Sequence, residues 1–333
     1  MLSPFRAYFP AGPGPLTAID AAQSARGIRE DARRYQSEMF LDRAVAEGRA
    51  AGSSVPSVYR YTITEGGAEV LSGLVGATSA ADLLPHEETV ATAPHSPSPS
   101  VEIRPVVAIT EEPLPSWRAT GVSSIVIDGA GREHAAGAVA LEGSLPRGPY
   151  VLADGHHRRR AALATWGDRC RILTLVIGSN GAGLETGSFH RRFASAGPLP
   201  AAAGTRFDIE PMATPASVAG SIVWVDGSSG RAFRLTPRPE ALATMPVAHR
   251  AAPAAVASAL LYPLVGVTDE DAVWAGTQEI ALADLVAGER VLLLPPIDVS
   301  AVIGAARAGE PLPPKSSRFR PKPVRGLVMR AAP

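Results

Sequence analysis

Runs of apolar residues divide the first half of the chain into short strands separated by polar turns. Val58–Thr64 and Val70–Thr78 predict two strands joined at Glu65–Gly67, where glycines favour a turn. Residues 21–50 repeat apolar side chains at helical spacing and predict a helix, whereas the serines and prolines of residues 93–100 predict a loop. Further strands are predicted near Pro105–Thr110, Ser123–Asp128, Tyr150–Ala153 and Ile172–Ile177.

The second half of the chain continues this mixture of short strands and helices. A strand pair is predicted near residues 221–235, around the turn Asp226–Gly230. A helix is predicted near residues 253–261, and the apolar segment Gly326–Met329 near the end predicts a final strand that docks on the body. Strands and helices in this proportion are typical of an α+β (mixed α/β) fold with a mixed sheet.

The best internal boundary is the segment 178–205, which is rich in Gly, Ala, Ser and Pro. The predicted organisation is a core of residues 1–178 followed by a C-terminal α/β region of residues 179–333. His190–Arg192 lies inside the boundary segment, and we interpret it as part of a surface loop.

Composition argues against several classes of function. The chain has 333 residues, of which 46% are hydrophobic and 19% charged, enough for one large domain or two ordinary ones. Lys+Arg and Asp+Glu both number 32, which disfavours a protein whose main role is to hold DNA or RNA. The single cysteine, Cys170, excludes an internal disulfide and a cysteine-based zinc site. No apolar run approaches the roughly 20 residues of a membrane span, so we expect a cytoplasmic protein with no membrane partner.

Polar chemistry is most concentrated at Asp154–Arg158, directly after an apolar strand. A helix that opens here with two histidines and an arginine presents backbone N–H groups and partial positive charge to an anion, most commonly a phosphate. Gly155 allows a close approach of a ligand to the backbone, and Asp154 has the chemistry to orient a histidine, bind a metal or accept a proton. The alternative is an ordinary Asp-Gly turn in which Asp154 caps the helix.

Two other segments carry candidate chemistry. His86 beside Glu87 suits general base catalysis on a hydroxyl, or else an acidic helix start. Near the end of the chain, cations and serines have the chemistry to wrap a phosphate, or else belong to a disordered basic tail. The residues of that tail are Lys315, Ser316, Ser317, Arg318, Arg320 and Lys322.

Taken in order, these motifs resemble those of the bacterial and archaeal family known as domain of unknown function 1015. The resemblance spans nearly the whole chain. It rests on Pro4-Phe5-Arg6, Tyr59-Arg60-Tyr61, Gly73-Leu74-Val75-Gly76, His86-Glu87 with Thr89, Asp154 to Arg158, and Pro313, Lys315, Ser316, Ser317, Phe319, Pro321 and Lys322. The chain departs from the family at Arg159-Arg160-Ala161, where a Tyr-Glu-Thr segment is usual, and in an N-terminal Pro-Pro-Tyr-Asp segment that it lacks.

The resemblance implies a ParB/sulfiredoxin-like nucleotide-binding core, similar to that of free serine kinases. It implies that Glu87, next to His86, is the catalytic base, and that Asp154 binds Mg²⁺ or the substrate. It also implies that the tail folds back toward the site. The residues implied to hold nucleotide phosphates are Gly155, His156, His157 and Arg158, with Lys315, Ser316 and Ser317 of the tail.

The first hypothesis for function is a kinase that uses ATP or ADP and Mg²⁺ to phosphorylate free serine or a similar hydroxylated small molecule. It predicts Glu87 across a cleft from His157. The alternative is a ParB-like switch that binds and hydrolyses a nucleotide without a kinase acceptor. A DNA-binding adaptor is the weakest reading, and we expect no nucleic acid partner. The phosphate donor, the acceptor and the oligomeric state stay open.

Overall fold

A computed structural model describes residues 1–12, 41–89, 101–179 and 184–331. The chain divides into two compact units. Unit 1 comprises Met1–Leu84, Ala91–Leu184 and Pro321–Pro333, and unit 2 comprises Pro85–Val90 and Glu185–Arg320. This division differs from the sequence-based one in three places. A short segment containing His86 and Glu87 joins unit 2, the last residues join unit 1, and the internal boundary follows Leu184 instead of residue 178.

Strands and helices follow one another throughout the chain. The strands of unit 1 up to residue 184 are β1 (Tyr8–Pro10), β2 (Ala50–Gly52), β3 (Val58–Glu65), β4 (Ala68–Ser79), β5 (Leu83–Pro85), β6 (Val101–Glu102), β7 (Val106–Thr110), β8 (Ser116–Ile127), β9 (Glu133–Glu142), β10 (Tyr150–Asp154) and β11 (Arg171–Gly178). The later strands are β12 (Glu185–Gly187), β13 (His190–Phe193), β14 (Phe207–Met212), β15 (Ile222–Asp226), β16 (Ala232–Pro237), β17 (Ala272–Ala275), β18 (Arg290–Leu293), β19 (Arg318–Arg320) and β20 (Arg330–Ala331). The α-helices are His156–Trp166, Pro239–Ala243, Pro253–Val256, Tyr262–Val265, Gln278–Leu282 and Val299–Ala308.

Unit 1 is built on an eight-stranded sheet in the order β5-β10-β7-β11-β4-β3-β9-β8. Neighbouring strands such as β3 and β4 run antiparallel, whereas β11 and β7 run parallel, so the sheet is mixed. The His156–Trp166 helix contributes Ala162 to a core that also contains Leu74 and Leu152. The predicted α+β class with a mixed sheet is confirmed.

The hairpin of β8 and β9 is the largest element that the sequence pattern missed. Only the second half of β8 is predicted, and β9 is not predicted at all. The β9 segment contains four alanines and one glycine among its ten residues, and neither residue type favours strands. Its conformation is set by its neighbours, since β9 hydrogen-bonds to β3 on one side and β8 on the other.

Unit 2 is built on a six-stranded sheet in the order β14-β16-β15-β18-β13-β17. The predicted strand pair is confirmed as β15 and β16. The interpretation of His190–Arg192 as a surface loop is wrong, because these residues form most of β13, inside the sheet between β18 and β17. His190 and Arg191 are both buried.

The helical predictions have different outcomes. The helix predicted near residues 253–261 is confirmed, and it continues through a π-helical turn, Ala257–Leu261, into Tyr262–Val265. Of the helix predicted over residues 21–50, residues 41–46 are helical, whereas residues 13–40 lie outside the described residues, as does the loop predicted at 93–100. Within the described ranges, no helix combines the length and the apolar character that crossing a bilayer requires.

Candidate functional site

The strand β10 ends at Asp154, and the helix His156–Trp166 begins two residues later, as predicted. Gly155 makes the turn with φ of 105°, in the left-handed region that favours glycine. A Cβ on Gly155 would lie 2.6 Å from Val106 Cγ1 and 2.9 Å from Arg158 Nη2. The position therefore requires glycine both for its backbone angle and for the closeness of its neighbours.

One carboxylate gathers three cations at this helix start. Asp154 Oδ1 accepts a hydrogen bond from Lys322 Nζ at 2.6 Å, and Oδ2 accepts one from Arg158 Nη2 at 2.9 Å. Arg104 Nη2 lies 3.9 Å from the same Oδ2 atom. The other arm of Arg158 donates to the Arg104 carbonyl at 2.6 Å, so Arg158 is held from two sides.

The pKa values of this cluster reflect its excess of positive charge. Burial alone would raise the pKa of Asp154, but Lys322, Arg158 and Arg104 lower it to about 2. Burial lowers the pKa of Arg158 to about 10, and the neighbouring Arg104 adds to the effect while Asp154 opposes it. Three cations thus share a single carboxylate ion beside the positive end of a helix, an arrangement that an anion would stabilise.

The two histidines occupy the first turn of the helix. His156 is half-buried and His157 is exposed. Gly155, the N-cap, makes no side-chain cap hydrogen bond, and the Arg159 N–H donates to the Gly155 carbonyl at 2.9 Å. In general, the N–H groups of a helix's first turn point out of its N-terminal end, where phosphates commonly bind.

The cation contacts of Asp154 compete with its predicted role as a metal ligand, and that role stays a prediction. Mg²⁺ binds carboxylate oxygens at about 2.0–2.1 Å, but both oxygens of Asp154 already accept hydrogen bonds from cations. Among the described residues there is no group of three or more His, Cys, Asp or Glu side chains that would hold a metal ion. The contacts of Asp154 are those of an ion-pair centre.

In unit 2, Glu87 holds the segment of the tail that contains Lys315 and Ser317. Its Oε2 accepts the Lys315 N–H at 3.1 Å. Its Oε1 accepts both the N–H and the hydroxyl of Ser317, each at 2.6 Å. The backbone of Glu87 adds a parallel bridge to Leu312, so this short segment and the tail run side by side.

The His86 side chain also belongs to this cluster. The ring is fully buried, and its Nε2 lies 2.7 Å from Ser317 Oγ and 3.2 Å from Glu87 Oε1. Phe319 packs edge-on against the ring, with centroids 5.8 Å apart. Ser316, in contrast, directs its hydroxyl to the Pro313 carbonyl at 2.6 Å, within the tail itself.

Arg191 holds the same segment from the other side, and sequence reasoning missed it. Its buried guanidinium donates to the carbonyls of Pro314 at 3.0 Å and Lys315 at 3.1 Å. Lys315 adopts a φ of 58°, which this set of anchors maintains. No local motif marks Arg191, since its role depends on carbonyls more than 120 positions away.

The predicted site residues therefore form two clusters, one in each unit. Asp154, Gly155 and Arg158 meet Arg104 and Lys322 in unit 1. The second cluster, in unit 2, consists of His86, Glu87, Lys315, Ser316 and Ser317. That Glu87 faces His157, and that Lys315 to Ser317 hold nucleotide phosphates, stay predictions.

No family model and no curated protein matches the chain. Among solved structures, a conserved hypothetical protein from Pyrococcus furiosus aligns over 75% of this chain and 94% of its own, at 14% identity and a TM-score of 0.42. A free serine kinase in complex with AMP aligns over 78% and 91%, at 12% identity and a TM-score of 0.44. SbnI with a C-terminal truncation, from Staphylococcus aureus, aligns over 76% and 85%, at 12% identity and a TM-score of 0.46. All three TM-scores are below 0.5, so no function is transferred from these proteins.

Proposed function

We propose that the protein is a nucleotide-dependent phosphotransferase that acts on the hydroxyl of a small molecule such as free serine. The observation that carries the proposal is the cluster of Arg104, Arg158 and Lys322 around Asp154 at the start of a helix. Phosphoryl transfer depends mainly on positioning and on neutralising phosphate charge, and this cluster supplies both.

The phosphates of ADP or ATP would bind at the exposed side of this cluster. Arg158 and Lys322 keep 36% and 40% of their side-chain surface exposed, so both remain accessible to a ligand while Asp154 orients them. Arginine offers a planar pair of N–H groups that matches two phosphate oxygens, and lysine offers a mobile point charge. The N–H groups of the first helical turn add neutral donors at the same place.

Glu87 is the proposed base. It would take the proton of the acceptor hydroxyl while that oxygen bonds to phosphorus and the bond to the bridging oxygen of the nucleotide breaks. The Ser317 hydroxyl already donates to Glu87 Oε1 at 2.6 Å, which is the contact that an acceptor hydroxyl requires. An acceptor would replace Ser317 at this oxygen.

A second candidate is a nucleotide-binding switch without an acceptor. It is favoured by the same contacts of Glu87, because the carboxylate already accepts three hydrogen bonds from Lys315 and Ser317. In that case Glu87 anchors the tail, and the phosphate cluster of unit 1 binds and turns over nucleotide without transferring phosphate to a hydroxyl compound.

The deciding experiment measures phosphate transfer from ADP and from ATP to a panel of hydroxy amino acids by phosphorus NMR. We expect transfer by the natural protein, and a loss of about 10²–10⁴-fold in Glu87→Gln with nucleotide binding retained. Glu88→Gln is the matched control, because Glu88 is the exposed neighbour. Equal rates in Glu87→Gln and the natural protein would exclude Glu87 as the base. Nucleotide hydrolysis without any phosphorylated product would establish the switch.

Nucleotide binding is tested separately from transfer. We expect Arg158→Ala to weaken ADP binding by about 10- to 100-fold, the value of one charge-assisted contact. Arg169→Ala removes an exposed arginine from the same unit and serves as the control. If both variants bind ADP as the natural protein does in a calorimetric titration, the phosphates bind elsewhere.

A further inference from the structure

Unit 2 contains a cavity of about 310 Å³ that the proposed phosphotransfer does not use. It lies where β12 and β19 pair beside the start of β13. A volume of this size is at the lower end of the range found for small-molecule sites. Apolar surface comes from Leu294 and Pro296, and the remaining wall is mostly polar.

Positive charge is concentrated on one strand of the cavity. Arg318 and Arg320, both on β19, line it, and Glu185 on β12 is the carboxylate among the lining residues. Arg318 is half-buried, with its guanidinium against the Gly276 carbonyl. Burial lowers the pKa of Arg318, and the neighbouring Arg320 lowers it further. Two cations that repel one another at a cavity wall would be stabilised by an anionic ligand.

His190 adds a neutral hydrogen-bond donor to the same wall. Its Nδ1 accepts the Leu294 N–H at 3.1 Å. Burial, aided by Arg191 and Arg318, lowers the pKa of His190 to about 4, so the ring is neutral at physiological pH. In a neutral ring whose Nδ1 accepts, Nε2 carries the hydrogen. The ring is therefore fixed as a donor through Nε2.

The lining also offers hydrogen-bond acceptors. Thr186 and Ser188 donate their hydroxyl hydrogens to the carbonyls of Ile297 and Pro295, which leaves oxygen lone pairs available. The Ser217 hydroxyl, also in the lining, is buried and has no hydrogen-bond partner among the residues that the structure describes. A buried hydroxyl in this state is destabilising unless a ligand or water pairs with it.

We propose that this cavity binds a small carboxylic acid that also carries an amino or hydroxyl group. The carboxylate would pair with Arg318 and accept from His190, and the amino or hydroxyl group would donate to the oxygens of Thr186, Ser188 and Glu185. Ser217 would gain its missing partner in the ligand. This proposal is separate from phosphotransfer, because neither Asp154 nor Glu87 is among the residues that line the cavity.

The test is calorimetric titration of the full chain with L-alanine, L-serine and L-lactate, with L-alaninamide and inorganic phosphate as comparisons. We expect at least one of the three acids to bind, with the amide at least 10-fold weaker because it has no carboxylate. Phosphate binding with no acid bound would overturn the carboxylate assignment, and so would equal binding of amide and acid. An absence of binding by all three acids would overturn the proposal.

Variants of the cavity make the test specific. Arg318→Gln is expected to weaken acid binding by about 10- to 100-fold. Arg318 also contacts Gly276, so its loss could disturb the structure, and a second pair of variants is made at Ser217. Ser217→Leu places a larger side chain in the cavity and should abolish acid binding. Ser217→Ala should retain most of the acid binding. ADP binding, a property assigned to unit 1, should be unchanged in all three variants. Acid binding that survives Ser217→Leu in a folded protein would place the ligand elsewhere.

Discussion

Asp154 is the residue on which the charge arrangement of unit 1 depends. Its side chain is 19% exposed, and each of its oxygens accepts a hydrogen bond from a cation. Its ionised form is stabilised by Lys322, Arg158 and Arg104 more than burial destabilises it. This balance makes Asp154 a stabilising residue at neutral pH and a source of acid sensitivity.

The first prediction concerns acid unfolding. Because the pKa of Asp154 falls from 3.8 in the unfolded chain to about 2 in the folded protein, its contribution is complete above about pH 4. That contribution is lost as the pH falls toward 2, and it amounts to about 2 kcal/mol. Between pH 5 and pH 3, the free energy of unfolding measured in urea should fall less for Asp154→Asn than for the natural protein. An equal loss in Asp154→Asn, with Asp168→Asn as the exposed control, would contradict the ion-pair assignment.

The second prediction concerns His190, whose ring is buried in β13. Burial, Arg191 and Arg318 lower its pKa from 6.5 to about 4, so the unfolded chain takes up a proton in this window while the folded protein does not. Stability is therefore complete above about pH 6.5 and falls by about 3 kcal/mol as the pH approaches 4. His190→Asn retains an acceptor for the Leu294 N–H without titrating. Between pH 7 and pH 4.5, the free energy of chemical unfolding should depend less on pH for this variant than for the natural protein. An identical pH dependence would refute the lowered pKa of His190.

At the scale of elements, the turn from β10 into the His156–Trp166 helix forms the proposed phosphate site. Arg159 donates to the Ala80 carbonyl at 2.9 Å and ties the helix to the 3₁₀ turn Ala80–Asp82. Arg159 thus has a structural role in this chain. The helix start itself consists of Gly155 and the cations around Asp154.

The third prediction compares two glycines with positive φ at the two ends of this helix. Gly155 has crowded surroundings, whereas a Cβ at Gly167 would have nothing within 4 Å. Gly167→Ala should lower the free energy of unfolding only by the cost of the backbone angle, about 1 kcal/mol. Gly155→Ala should cost more and also weaken ADP binding, because its Cβ would displace Arg158. Thermal unfolding and ADP titration measure both effects, and equal behaviour of the two variants would contradict the proposed packing.

At the scale of the whole molecule, the end of the chain belongs to both units. The segment Glu185–Arg320 lies in unit 2, and the last segment, Pro321–Pro333, lies in unit 1. In unit 1, Met329 bridges to Tyr8 and β20 pairs with β6. In unit 2, Lys315 and Ser317 hydrogen-bond to Glu87. The end of the chain therefore makes specific contacts within each of the two units.

The fourth prediction follows from this division. Truncation after Arg320 removes Lys322 together with the buried residues Leu327, Val328 and Met329, and should lower the melting temperature markedly. Lys322→Ala removes only the cation and should leave the fold intact while weakening ADP binding by about 10-fold. Circular dichroism with ADP titration separates the two effects. A stable truncated protein with unchanged ADP affinity would show that the tail is dispensable in unit 1.

Local patterns predicted those elements whose residues favour them intrinsically. β3 is rich in β-branched and aromatic residues and meets β4 at a glycine turn, and Gly155 supplies the positive φ at the strand-to-helix junction. β9 and β13 escaped prediction because alanines and arginines become strands only between hydrogen-bonded neighbours. The same reason hid Arg191 and Arg104, whose partners are backbone carbonyls and a carboxylate far away in sequence.

The sequence by itself determined the mixed fold class and the helix start at Asp154–Arg158. Those properties depend on residue type and on neighbours within a few positions. The tertiary structure alone decided which charges meet: Lys322 pairs with Asp154 across 168 positions, and Ser317 donates to Glu87 across 230. Coulombic and hydrogen-bond energies depend on distance in space, and chain order does not encode distances that long. For the same reason, only the tertiary contacts showed that Asp154 is the centre of a cluster of ion pairs.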